Sequence, residues 1–368
     1  VGQMHYMLAF GYEQTGDDSE ALKHYTASYK IDANLLPTLE GLARTLFKRG
    51  DWERSFRVYQ TILVRYRDKK SVPELVELFC RLGEVNGKLG KDEMAARMYE
   101  KALELAPESV VAIKAIVKFY ERLENWKKVL QYRGRLIKKL EGKDLAEQWR
   151  AVGDIYIDKL GDVDKGLEAY RYAIELDATD VDLLTRVADI LFEKGELNDA
   201  MGVYRSAVIM EKDPAKLFEL HFRLGNLIRE HAPEDEKKDC IEQYNAALDI
   251  DYKAPGIFEI IENFLIQRSD WDELDTCYRL HLSRIPLEDK TRLVAIWKKL
   301  GDLLADKLGD LGQAIAAWEA VANLLPDDMA VQEKVADLYS RDPIYREEAI
   351  AMHKALLAEN PNRISSYR

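Results

Sequence analysis

The chain has 368 residues, a net charge of −12 and 33% charged residues, with 47% apolar residues to build a core. No run of 18 apolar residues occurs, so no membrane-spanning helix is expected. No secretory leader pattern stands at Val1, Gly2 and Gln3. The charge is uneven: residues 1–145 carry 26 Lys and Arg against 21 Asp and Glu, and the rest carry 28 against 45. Three cysteines, Cys80, Cys240 and Cys277, lack metal-ligand spacing and read as free buried thiols, which fits a cytoplasmic setting.

Apolar positions recur at helical spacing in pairs of segments, each pair broken by a turn. The first pair spans 3–35 and shows Leu8, Ala9, Tyr12, Gly16, Ala21, Tyr25 and Ser28. The second, 36–74, shows Leu42, Ala43, Leu46, Gly50, Ser55 and Tyr59, with Ile62 where a small residue recurs elsewhere. The third, 75–108, is the clearest. Gly83, Ala95 and Ala102 are small enough for helices to cross closely, Tyr99 fills the gap beside them, and the turn falls at Gly90, Lys91 and Asp92. Pro107 stops its second helix, because proline cannot donate the backbone bond.

The fourth pair, 109–144, keeps Ile113, Ile116, Tyr120 and Trp126 but has no glycine at its turn. In the fifth, 145–179, Gly153 and Gly161 stand one residue further apart than Gly83 and Gly90, which predicts a lengthened turn. The sixth, 180–216, has Ala188, Gly195 and Tyr204, and the seventh, 217–254, has Gly225, Tyr244 and a longer turn near 231–235. The eighth, 255–293, departs from the pattern as the fourth does, keeping Phe258, Ile261, Trp271 and Tyr278. The ninth, 294–328, restores it with Gly301, Gly309 and Trp318, and the tenth, 329–362, has Ala336, Tyr339 and Pro361. Residues 363–368 read as the opening of a further unit.

This order of small residue, Gly turn, small residue, aromatic, small residue and Pro, repeated at about 34 residues, resembles the tetratricopeptide repeat. The resemblance implies an all-α fold: a right-handed superhelical solenoid of about ten antiparallel helix pairs, forming one domain over 1–368. A longer period is also present. Trp149 and Trp297, Gly153 and Gly301, and Gly161 and Gly309 are each 148 apart, so residues 75–216 and 217–362 read as a duplicated four-repeat block. The apolar stripe Met4, Met7 and Leu8, with no polar capping helix before it, and the incomplete unit at the other end are expected to be covered by further chain or by end-to-end self-association.

Chemistry-bearing motifs are sparse. Gly83 to Lys91 is glycine-rich but lacks the order of a phosphate loop. The six histidines do not pair at metal spacing; His5 and His221 stand at packing positions and His353 where most units carry Tyr. Neither a catalytic site nor a cofactor or metal is expected. What the resemblance implies instead is a concave groove lined by the first helix of each unit. Carried over position by position, the residue after the small one is Arg44, Lys118, Asp154, Asp189, Asn226, Asn263, Asp302 or Asp337 in eight units. One turn earlier stand Lys114, Arg150, Phe222 and Lys298, among others.

Asn226 and Asn263 are expected to hold a peptide backbone, and the four Asp residues to favour a basic partner toward the C-terminal half. Arg44, Lys88, Lys114 and Lys118 form an alternative, basic groove. The family's carboxylate clamp uses a Lys and an Asn one turn apart; here Lys114 faces Lys118 and Lys298 faces Asp302. The reading is a noncatalytic scaffold that binds a protein or peptide segment. A structural spacer is the alternative, and nucleic-acid binding through the basic N-terminal units is disfavoured by the interleaved acids.

Overall fold

The structure, a computed structural model, describes residues 1–359. Pro361 of the tenth unit and the further unit expected at 363–368 lie outside them. The chain divides into two compact units, Val1–Leu183 and Leu184–Arg368. Each is all-α, a solenoid of antiparallel helix pairs, and no strand occurs among the described residues.

The first unit holds α1 (Gly2–Thr15), α2 (Asp18–Ile31), α3 (Leu36–Lys48), α4 (Trp52–Tyr66), α5 (Val72–Lys88), α6 (Asp92–Leu105), α7 (Val110–Arg122), α8 (Trp126–Ile137), α9 (Gly142–Asp154) and α10 (Val163–Leu176). Next come α11 (Val181–Glu193), α12 (Leu197–Met210), α13 (Pro214–His231), α14 (Asp239–Ile250), α15 (Ile257–Arg268), α16 (Trp271–Arg284), α17 (Lys290–Leu303), α18 (Leu311–Leu324), α19 (Met329–Arg341) and α20 (Arg346–Glu359). No helix among the described residues is long and apolar enough to cross a membrane.

One turn design recurs in half of the pairs. A left-handed residue ends the first helix, and an Asx side chain then caps the second. Gly16 (φ 83°) precedes Asp17, whose carboxylate accepts from the Glu20 amide at 3.0 Å. Gly161 (φ 68°) precedes Asp162 in the same way. Glycine enters this region without the Cβ penalty, and the cap satisfies a helix amide that would otherwise lack a partner. In the two departing repeats the same geometry is forced on side-chain-bearing residues, Glu124 (φ 53°) and Ser269 (φ 56°).

The lengthened turn expected after Gly153 is not a turn. The extra residue stays inside the helix: Ile155–Lys159 continues α9 as a π-helical turn, with the Leu160 amide on the Ile155 carbonyl at 3.1 Å. Wider i→i+5 bonds absorb one residue while keeping the backbone paired. Leu304–Leu308 does the same after α17. Both π turns place a lysine over the tryptophan that opens an earlier helix, Lys159 over Trp126 at 5.5 Å and Lys307 over Trp271 at 5.1 Å. These cation–π contacts staple neighbouring pairs.

Candidate functional site

The helix pairs share one internal joint. An aromatic residue on the second helix fills the space left by a small residue on the first. A Cβ on Gly153 would lie 2.3 Å from Tyr170 Cδ1, and one on Gly301 would lie 2.4 Å from Trp318 Cδ1. Gly83 and Gly225 seat Tyr99 and Tyr244 in the same manner, whereas Gly41 on α3 receives the Tyr25 ring from the preceding pair. The tyrosine then ends on an acceptor of the first helix. Tyr170 donates to Asp154 at 2.6 Å, Tyr244 to Asn226 at 2.8 Å, Tyr25 to Glu13 at 2.6 Å and Tyr204 to Asp189.

Several acceptors also take a cation from the next pair. Arg44 grips Glu13 with two bonds of 3.0 and 3.1 Å, and Arg223 reaches Asp189 at 3.3 Å. Burial pushes the Glu13 carboxyl up, but Arg44 and Tyr25 outweigh it and hold it below the usual carboxylate range. Burial first, then the anionic acceptor, raises the Tyr25 and Tyr204 phenols.

This joint determines where the expected groove residues go. Asp154, Asp189 and Asn226 are partly buried acceptors for tyrosine hydroxyls. Asp302 pairs with Lys334 at 2.8 Å, not with Lys298, which lies over the Trp318 ring at 6.0 Å. Arg150 donates to Asp180, and Phe222 packs its ring 6.3 Å from that of Tyr244. Asp337 is exposed on α19.

Asn263 is exposed beside Arg229 and Arg268 and takes no part in the tyrosine joint. There the acceptor is its neighbour Glu262, 6% exposed, which receives Tyr278 at 2.5 Å and Lys299 at 2.7 Å. In the fourth pair Val117 fills the slot, and Arg133 replaces the tyrosine, donating to Glu121 and Gln148 at 2.6 Å each. Sequence reading missed Glu121, Arg133 and Glu262. Counting eight residues from the cap Asn125 would have found Arg133, because Tyr25 and Tyr170 stand eight after Asp17 and Asp162.

Three of the four basic candidates come together. Lys88, Lys114 and Lys118 border a groove of about 1040 Å³ between α5 and α7, whereas Arg44 is engaged by Glu13. Val76, Cys80, Tyr99, Ala115 and Phe119 make the floor. Burial pushes the Cys80 thiol up to about 11, which leaves it an inert apolar filler. Glu84 stands where Asp154 and Asn226 stand in their repeats, but Arg81 binds it at 3.3 Å. The Tyr99 side chain thus lines the groove rather than joining a carboxylate. Arg122 is held by Asp92, and Lys88 lies over Trp52 at 5.8 Å. Lys114 and Lys118 are exposed and make no ion pair among the described residues.

Repeated helix pairs with a glycine seat for a tyrosine define a helical-repeat protein. Residues 34–108 and 158–216 match models of the tetratricopeptide repeat. In both stretches the chain carries tetratricopeptide repeats. It is 25% identical over 245 residues to Protein CTR9 homolog of Arabidopsis thaliana, covering 65% of this chain and 20% of that protein. Over 200 residues it is 23% identical to Tetratricopeptide repeat protein 8 of Caenorhabditis elegans, covering 54% and 38%. The chain therefore spans well under half the length of these two relatives. A tetratricopeptide repeat protein from Parabacteroides merdae of known structure matches with a TM-score of 0.42 at 18% identity, over 72% of this chain and 98% of that one.

Proposed function

We propose that this chain is a noncatalytic scaffold that holds a segment of another protein in the groove between α5 and α7. The observation that carries the reading is an open groove with an apolar floor bordered by two lysines, Lys114 and Lys118, that the fold does not neutralise. Such concave sites, mostly apolar with a few polar groups, are where ligands gain both burial and orientation. Asp154, Asp189, Asn226 and Asp302 are proposed as structural, because they accept from tyrosines and a lysine of the fold itself.

Probing an array of short peptides of varied composition with labelled protein tests the reading. A subset of spots should bind. Ala115→Trp, which fills the groove, should abolish that binding while leaving the thermal melt unchanged. If no peptide of any composition binds, the runner-up holds: a structural spacer, favoured by the tyrosine, carboxylate and cation chains that tie one pair to the next.

A further inference from the structure

We infer that the segment taken by the groove between α5 and α7 is acidic along one edge and apolar along the side it turns to the floor. This rests on the scaffold reading and gives its partner a chemistry. The two walls of the groove differ. The α7 wall presents Lys114 and Lys118 one helical turn apart, unpaired, and Arg122 beyond them. On the α5 wall charges alternate, Glu77, Arg81, Glu84 and Lys88, and Arg81 sits within 3.3 Å of Glu84 and 3.8 Å of Glu77.

Two like charges at i and i+4 repel one another by a few tenths of a kcal/mol on a helix surface. A carboxylate set between them relieves that repulsion and gains an attraction from each. The low-dielectric floor strengthens the attraction relative to open water.

The floor supplies the other half of the specificity. Val76, Ala115 and Phe119 offer no hydrogen bonds, so a wholly polar acidic strand would lose water there without compensation. Val72 and Val111 stand 49% and 63% exposed at the groove and extend its apolar surface. From Val111 to Arg122 the wall runs about 17 Å at 1.5 Å per residue, enough for about five residues of extended chain. A nucleic acid is the poorer fit. Each of its residues carries a phosphate, and Glu77 and Glu84 on the α5 wall would repel that backbone.

The test is fluorescence anisotropy with four labelled probes. These are a short peptide alternating Glu and Leu, the same peptide with Lys for Glu, the same with Ser for Leu, and a single-stranded RNA of matching length. The Glu/Leu peptide should bind best, about tenfold or more above the others, and weaken as salt rises. Lys114→Glu with Lys118→Glu should reverse the preference between the Glu and Lys peptides while the circular-dichroism melt stays unchanged. Equal binding of the Glu and Lys peptides, tighter binding of the RNA, or indifference to the double variant would overturn the inference. If only the Lys peptide binds, the partner chemistry is wrong and the scaffold reading survives. If none of the peptides binds here or on the array, both fall.

Discussion

The fourth and fifth helix pairs are neighbours built on the same plan, yet they close it in opposite ways. In the fifth, α9 and α10, Gly153 admits the Tyr170 ring, the hydroxyl ends on Asp154, and Gly161 makes the turn. In the fourth, α7 and α8, Val117 takes the glycine's place, Arg133 takes the tyrosine's, and Glu124 makes the turn. Once the ring is gone, the position after Val117 no longer serves as an acceptor. It holds Lys118, which points its charge into the groove instead. A repeat that departs from the pattern has thus moved polar groups from inside the joint to its surface. The departure has a cost inside, a guanidinium whose Nε is buried without a partner.

The sharpest way to break the comparison is to give the fifth pair the fourth pair's residue. Gly153→Val should cost about 3 kcal/mol, because the added Cβ would lie 2.3 Å from a fully buried tyrosine ring that has nowhere to move. Chemical denaturation of the two proteins would measure it. A loss under about 0.5 kcal/mol would mean the ring is not seated on this glycine.

A smaller effect tests whether Val117 and Arg133 changed together. Arg133→Tyr alone should destabilise, since Val117 blocks the slot and Glu121 loses its bond. Val117→Gly alone should destabilise by leaving a cavity. The double variant rebuilds the joint of the fifth pair and should be more stable than the sum of the two losses by about 1 kcal/mol or more. Simple additivity would show that the two sites are independent.

The glycine, aromatic and small-residue positions were legible in the sequence because each is set by shape. Only a glycine or alanine leaves room for the ring, so the period stands out in residue type. Charge was less legible. Asp154, Asp189 and Asn226 looked like a solvent-facing row because the sequence shows that they share a helix face, but not that a tyrosine from the next helix ends on them. Arg133 and Glu262 escaped notice for a related reason: each fills an apolar slot with a charged group, made tolerable by a partner distant in sequence. The extra residue before Gly161 was seen, but spacing alone could not say whether a turn or a π-helical turn absorbs it.

The smallest expected effect concerns the turns. Gly161 holds φ 68° at no steric cost, while Glu124 holds φ 53° with a Cβ close to the following carbonyl. That conformation costs a side-chain-bearing residue about 1–2 kcal/mol, and glycine's greater freedom in the unfolded chain returns part of it. Glu124→Gly should therefore stabilise the protein by up to about 1 kcal/mol, and Gly161→Ala should destabilise it by a similar amount. Glu124 is exposed, so the change removes little packing. Paired thermal melts decide the matter. If Glu124→Gly is neutral or harmful, its side chain makes a favourable contact that offsets the strain, and the fourth pair's turn is then as well built as the fifth's. If it stabilises, the fourth pair carries strain at its turn as well as an unpartnered nitrogen in its joint, and this is the repeat that lends Lys114 and Lys118 to the groove. Strain concentrated in the repeat that borders the proposed groove is what a surface selected for contact rather than for stability would show.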